Sequence, residues 1–114
     1  MTKDEIMAME PGRELDALVE YNIMRPWARH ENYEHWKENT QIPIPNYSTD
    51  IRATWALREE IHNKIGATRI IGLCDDLPEM CEIWNGQIHI RAQALTTPEA
   101  ICKAALLAVK EAQG

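Results

Sequence analysis

The chain has 114 residues, 12 basic against 18 acidic, for a net charge of −6. That length suits one domain with one core. The acidic balance disfavours nucleic acid as a partner, since phosphate binding needs lysines and arginines to displace counterions. No apolar run is long enough to span a membrane, the N-terminus lacks the basic and apolar regions of a signal peptide, and three unevenly spaced cysteines argue for reduced thiols in a cytosol.

Thr2-Lys3-Asp4-Glu5 has capping-box spacing and predicts a short first helix. Pro11-Gly12 ends it. Arg13 to about Met24 follows as a second helix, with Leu15, Leu18, Val19, Asn22 and Ile23 on one stripe and Pro26 as its stop. Residues 27–46 show no regular period and are expected to be an irregular loop insert, kept ordered by Trp27, Tyr33 and Trp36. Ser48 or Thr49 is expected to cap a helix that runs to about Ile65 and stops at Gly66. Its apolar arc is Ile51, Trp55, Leu57, Ile61 and Ile65, with Arg58 and His62 falling inside it. Arg58 either snorkels at the core edge or lines a pocket as a cation.

Thr68–Cys74 reads as a strand with apolar residues on both faces. Met80–Gln93 reads as a hairpin around Asn85-Gly86, a dipeptide suited to a type I′ turn. The implied register opposes Trp84 to Gln87, Ile83 to Ile88, Glu82 to His89, Cys81 to Ile90 and Met80 to Arg91. Cys81, Ile83, Ile88 and Ile90 then share one face, and Met80, Glu82, Trp84, Gln87, His89 and Arg91 share the other. Thr96-Thr97-Pro98-Glu99 opens the last helix, whose buried side is Ile101, Ala105, Leu106, Ala108 and Val109. The expected fold is α+β, a small layered α/β sandwich in the order α-α-β-β-β-α, with a three-stranded antiparallel sheet and helices packed on it, over residues 1–114.

The chemistry of enzymes finds little purchase. His30 and His35 are five apart, so a helix would point them to different faces, and the zincin arrangement needs four. Cys74 and Cys81 lack zinc-knuckle spacing. Cys102 lies on an apolar helix stripe, where cysteine is usually an inert small hydrophobe, and there is no nucleophile elbow and no phosphate-cradling glycine loop. The element order also suits a double-stranded-RNA-binding domain, but the last helix opens on Pro98-Glu99 where such a domain needs a basic end. The chain is therefore expected to be neither an enzyme nor a cofactor or metal carrier. The candidate binding residues are Arg58, His62, Trp84, His89, Arg91, Tyr47 and Arg13, with Arg52 a further cation. The hairpin's Trp84 face is either a platform or covered by a helix.

Three separated segments resemble one family: Ala8-Met9-Glu10-Pro11-Gly12-Arg13-Glu14-Leu15-Asp16-Ala17-Leu18-Val19; Pro45-Asn46-Tyr47-Ser48-Thr49-Asp50-Ile51, with Trp55 after it; and Thr97-Pro98-Glu99-Ala100-Ile101-Cys102-Lys103-Ala104-Ala105-Leu106-Leu107-Ala108. The chain is similar to the phage ABA sandwich domain family, small proteins of bacteriophages and prophages without an established activity. The resemblance implies an α/β/α layered domain and carries over no functional residue. It also implies a location in the host cytoplasm. The expected function is a non-enzymatic binding protein acting on host machinery, as in counter-defence. It would either block a host protein or sequester a small anionic, nucleotide-like ligand. The alternative is an accessory factor in phage DNA metabolism, and a homo-oligomer is left open.

Overall fold

The computed structural model describes residues 2–25, 31–41, 43–72 and 79–113. Five helices and three strands follow in the order α1 (Lys3–Ala8), α2 (Arg13–Val19), α3 (Tyr33–Asn39), α4 (Ile51–Lys64), β1 (Ala67–Gly72), β2 (Glu79–Trp84), β3 (His89–Ala94) and α5 (Thr97–Gln113). The expected α+β order holds. The strands form one antiparallel sheet, β1-β2-β3, and α5 lies against β2 and β3 while also touching α1, α2 and α4.

The last helix is the hub because it can be buried nearly all round. Ala100, Ile101, Cys102, Ala104, Ala105 and Ala108 are inaccessible to solvent. The small alanines let the sheet and three helices approach closely, and Ile101, Leu106 and Leu107 fill the volume between them. Two charges are carried into this interior. Lys103 Nζ donates to Glu99 Oε2 at 2.6 Å and to the Met7 carbonyl at 3.0 Å. The pair is one turn apart on α5 and satisfies itself while tethering α1.

The N-terminal capping box forms as its spacing predicts, with Glu5 N–H donating to Thr2 Oγ1 and Thr2 N–H to Glu5 Oε1, both at 3.2 Å. The second helix departs from expectation beyond Val19. Residues Glu20–Met24 form a π-helical turn, the wider winding that admits one extra residue per turn. The insert expected to be irregular contains α3. Asn32 caps it, its Oδ1 accepting from Glu34 and His35 N–H at 3.0 and 3.3 Å, and Trp36 is buried against Ala17, Tyr21 and Tyr33. Trp27 and His30 lie outside the described residues, as do Cys74 and the 73–78 connection.

Helix α4 starts later and sits differently from the expected arc. Asp50 is its N-cap, accepting from Arg52 N–H at 3.0 Å, and neither Ser48 nor Thr49 serves. Its buried line is Thr54, Leu57 and Ile61, while Ile51 and Trp55 are exposed. Thr54 belongs inside because its hydroxyl donates to the Tyr47 and Asp50 carbonyls at 2.7 and 2.8 Å. A threonine so satisfied packs like a valine.

The hairpin forms with a different turn. Trp84 opposes His89, Ile83 opposes Ile90, Glu82 opposes Arg91, Cys81 opposes Ala92 and Met80 opposes Gln93. The register is two residues away from that of a type I′ turn at Asn85-Gly86. Gly86 has no positive φ. The loop over residues 85–88 is instead organised by the Asn85 side chain. Its Oδ1 accepts from Gln87 and Ile88 N–H at 2.6 and 2.9 Å, and its Nδ2 donates to the Ile65 carbonyl at 2.9 Å. Asparagine competes for backbone groups in this way as readily as it adopts φ > 0. A slip of two keeps every side chain on its expected face.

The face with Cys81, Ile83, Ile90 and Ala92 packs into the core. The opposite face carries Arg69, Glu82, Trp84, His89 and Arg91 and is open to solvent, with Trp84 37% exposed. The described residues therefore make two layers, and the outer sheet face is a surface.

Candidate functional site

The outer face is built around one carboxylate. Arg69, Glu82 and Arg91 are in register across the three strands, so β2 delivers the carboxylate and each edge strand delivers a guanidinium beside it. Arg69 Nη2 donates to Glu82 Oε1 at 2.5 Å, and Arg91 Nε donates to Oε2 at 2.7 Å. His89, diagonal to Glu82, brings Nε2 to Oε2 at 2.7 Å. Hydrogen bonds from His89 and then Arg91 hold the Glu82 carboxyl down at about 2, against burial, which opposes them by more than the Arg69 hydrogen bond adds. An ionised carboxylate can only accept, so Nε2 of His89 carries the hydrogen in this contact.

Burial is unequal across the cluster. The Glu82 side chain is 4% exposed, whereas Arg69, His89 and Arg91 are 59%, 54% and 60% exposed. The anchor is hidden beneath the groups it holds. Arg69 also lies over the Trp84 ring, 5.7 Å from its centroid. Of the candidate residues, Trp84, His89 and Arg91 thus come together. Arg69 and the anchoring role of Glu82 escaped the sequence reading, because pairing of the first strand is not encoded locally.

Arg58 and His62 come together elsewhere. With Trp55, Glu59 and Thr68 they line a groove of about 300 Å³ where α4 meets β1. The Arg58 guanidinium is 5.0 Å from the Trp55 ring centroid and donates to the Thr68 carbonyl at 3.4 Å. It sits beside the buried line of α4, half-buried at the core edge, as the snorkelling alternative has it. Thr68 Oγ1, in the same groove, is buried without a hydrogen-bond partner among the described residues.

Tyr47 is no surface group. It is buried, and its hydroxyl donates to Glu20 Oε1 at 2.9 Å; burial first, then the Glu20 bond, push its ionisation upward. The neighbouring Ser48 N–H donates to Asp16 Oδ1 at 2.7 Å, and Ser48 Oγ accepts from Gly12 N–H at 2.9 Å. Gly12 has φ 150°, which a side chain would strain. Arg13 is exposed beside this clamp, at a cleft lined also by Asp16, Ile44, Asn46 and Thr49. Two segments of the family resemblance, 8–19 and 45–51, meet here and are thus bonded to each other.

A family model described as the phage ABA sandwich domain matches residues 4–106. The chain belongs to the phage ABA sandwich domain family. Among solved structures, the chain is similar to the crystal structure of a phage protein from Bacillus cereus ATCC 14579. It is 20% identical, with a TM-score of 0.66 over 87% of this chain and 91% of that one. At that identity the likeness concerns the fold. No curated protein matches the chain.

Cys81 and Cys102 are both buried. Burial pushes the Cys81 thiol up to about 12 and the Cys102 thiol higher still, leaving neither as a ready thiolate. Among the described residues, no three His, Cys, Asp or Glu side chains are grouped to hold a metal, and no helix is long and apolar enough to cross a membrane.

Proposed function

We propose that this phage-family domain is a non-enzymatic binding protein that acts on host machinery in the host cytoplasm, with counter-defence as its purpose. It blocks a host protein through the outer face of its sheet. One observation carries this reading: the open face places Trp84 beside arginines whose orientation is already fixed by a buried carboxylate. A tryptophan and arginines held in place before contact lose little side-chain entropy on binding, and these residue types dominate interface hot spots. The inert cysteines and the structural use of Ser48 favour binding over chemistry.

The test is capture from infected host cells with the tagged chain and its Trp84→Ala variant, followed by mass spectrometry of retained proteins and of small molecules released on denaturation. The wild type should retain a host protein that the variant loses by about 30-fold, as for a hot-spot aromatic. Equal retention by both would sink the sheet-face reading.

A second reading is sequestration of a small anionic ligand at the α4 groove. The unpartnered Thr68 hydroxyl beside Arg58 and Trp55 favours it. A nucleotide released from wild type and absent from Arg58→Met would establish that reading instead.

A further inference from the structure

We infer that the partner of the sheet face is recognised through an acidic polypeptide segment, which crosses Arg69 and Arg91 and continues over the β3 edge to Lys3 and Lys110. This rests on the sheet-face reading and names the chemistry of its partner.

The cations run as a band. At the β3 edge, His89 and Arg91 line a groove of about 140 Å³ together with Lys3 from the start of α1 and Lys110 from the end of α5. Neither lysine has an ion-pair partner among the described residues. Counting Arg69, the band holds four permanent cations against Glu82 and Glu111, in a chain whose net charge is −6. Such a patch is locally complementary to an acidic partner even though the molecule as a whole is not.

The donors are left pointing outward in number. A guanidinium has five N–H donors, and Arg69 is held to Glu82 through Nη2, Arg91 through Nε. Glu82 is thereby a positioning residue: it aims both forks and is itself out of a partner's reach.

Spacing selects a chain over a compact anion. Arg69 and Arg91 flank β2 in register, so their backbones stand two strand spacings apart, about 10 Å. The two guanidiniums converge on the one Glu82 carboxylate; what a single carboxylate or phosphate cannot do is reach from Arg69 on β1 across β3 to Lys3 and Lys110. An extended peptide advances about 3.3 Å per residue, so acidic side chains two or three residues apart match the band. Nucleic acid fits less well, because its affinity comes from a broad field of cations and the rest of this chain repels it.

The experiment is an NMR titration of the full ¹⁵N-labelled chain at low salt with an acetylated hexaglutamate peptide. Hexalysine and pyrophosphate are titrated in parallel. Hexaglutamate should give saturable shifts at Arg69, Glu82, His89, Arg91, Lys3 and Lys110. The double variant Lys3→Gln/Lys110→Gln removes exposed charges, should melt like wild type, and should weaken hexaglutamate binding by about three- to tenfold. The titration reads charge alone, whereas the capture assay reads retention of a host protein through the Trp84 anchor. Loss of the sheet-face reading in the capture assay is therefore separable from loss of this inference. Absence of saturable shifts, an unchanged affinity in the double variant, or an equal response to hexalysine would each overturn it. Pyrophosphate saturating the same amides at lower concentration would assign the band to phosphate and overturn it too.

Discussion

Two regions of this domain bury carboxylates almost completely and put them to opposite use. Asp16 and Glu20 are 3% and 2% exposed and accept from a backbone N–H and a tyrosine hydroxyl, donors that are themselves buried. Glu82 is equally hidden, yet three half-exposed side chains converge on it. In the first region the Ser48 and Tyr47 donors end inside and Arg25, 27% exposed, pairs with Glu20 at 3.4 Å from the rim, and the result is a clamp between α2 and the segment before α4. In the second, the donors have unspent N–H groups facing water. Burial of a carboxylate is therefore a poor guide to function. The direction of its partners' remaining hydrogen-bonding capacity separates the two cases.

The largest test asks whether the outer face depends on its joint to α4. A Cβ at Gly66 would stand 2.2 Å from the Trp84 carbonyl oxygen. Gly66→Ala should cost about 3 kcal/mol in denaturant unfolding, because backbone must move. Gly86→Ala meets nothing within 4 Å and needs no positive φ, so it should stay within about 0.5 kcal/mol of wild type. A strong effect at Gly86 would restore the type I′ turn.

Next comes the clamp. Asp16→Ala leaves the buried Ser48 N–H without an acceptor and should cost about 2 kcal/mol, while Asp16→Asn keeps an acceptor and should cost less. If the two variants melt together, the clamp is packing rather than hydrogen bonding.

Glu82→Gln should lower the melting temperature by less than Asp16→Ala, since the released arginines are re-solvated. Its signature is in pH. The folded carboxyl titrates at about 2, below the unfolded value near 4.3. Its stabilisation is present in full above the unfolded value and is lost as pH falls from roughly 4 towards 2. The gap in melting temperature between wild type and Glu82→Gln should close over that window; a constant gap would mean the cluster is not held by charge.

The smallest effect is expected at Arg58→Met. It forfeits one long hydrogen bond and a ring contact at the core edge, for at most about 1 kcal/mol. A larger loss would make Arg58 a structural member of the β1 edge.

Much of the frame was legible because it is written in local patterns: the capping box at Thr2, the alternation in the hairpin, the threonine-proline start of α5. Family resemblance added an α/β/α layering, of which the described residues show two layers. Helix α3 was hidden by short length, although Asn32 followed by Tyr33 and Trp36 carries a cap and a one-turn spacing. The arc of α4 was misassigned because Thr54 reads as polar until its two carbonyl partners are known. Of the site, Trp84, His89 and Arg91 were found together on one face by parity. Arg69 was not, since it arrives from a strand whose pairing spans a long connection, and Glu82's role depends on that arrival.

The hairpin's inside–outside pattern is compatible with two registers, and only one of them makes the cluster. In the register of a tight Asn85-Gly86 turn, Arg91 would stand opposite Met80, two pairs beyond Glu82. Every buried side chain would remain buried, so hydrophobic burial alone scarcely distinguishes the two. Asn85 decides, by tying its amide to Ile65, Gln87 and Ile88. A single side chain in the loop therefore acts as the arbiter between near-degenerate alignments. The pairing of Glu82 with Arg91 is inherited from that choice.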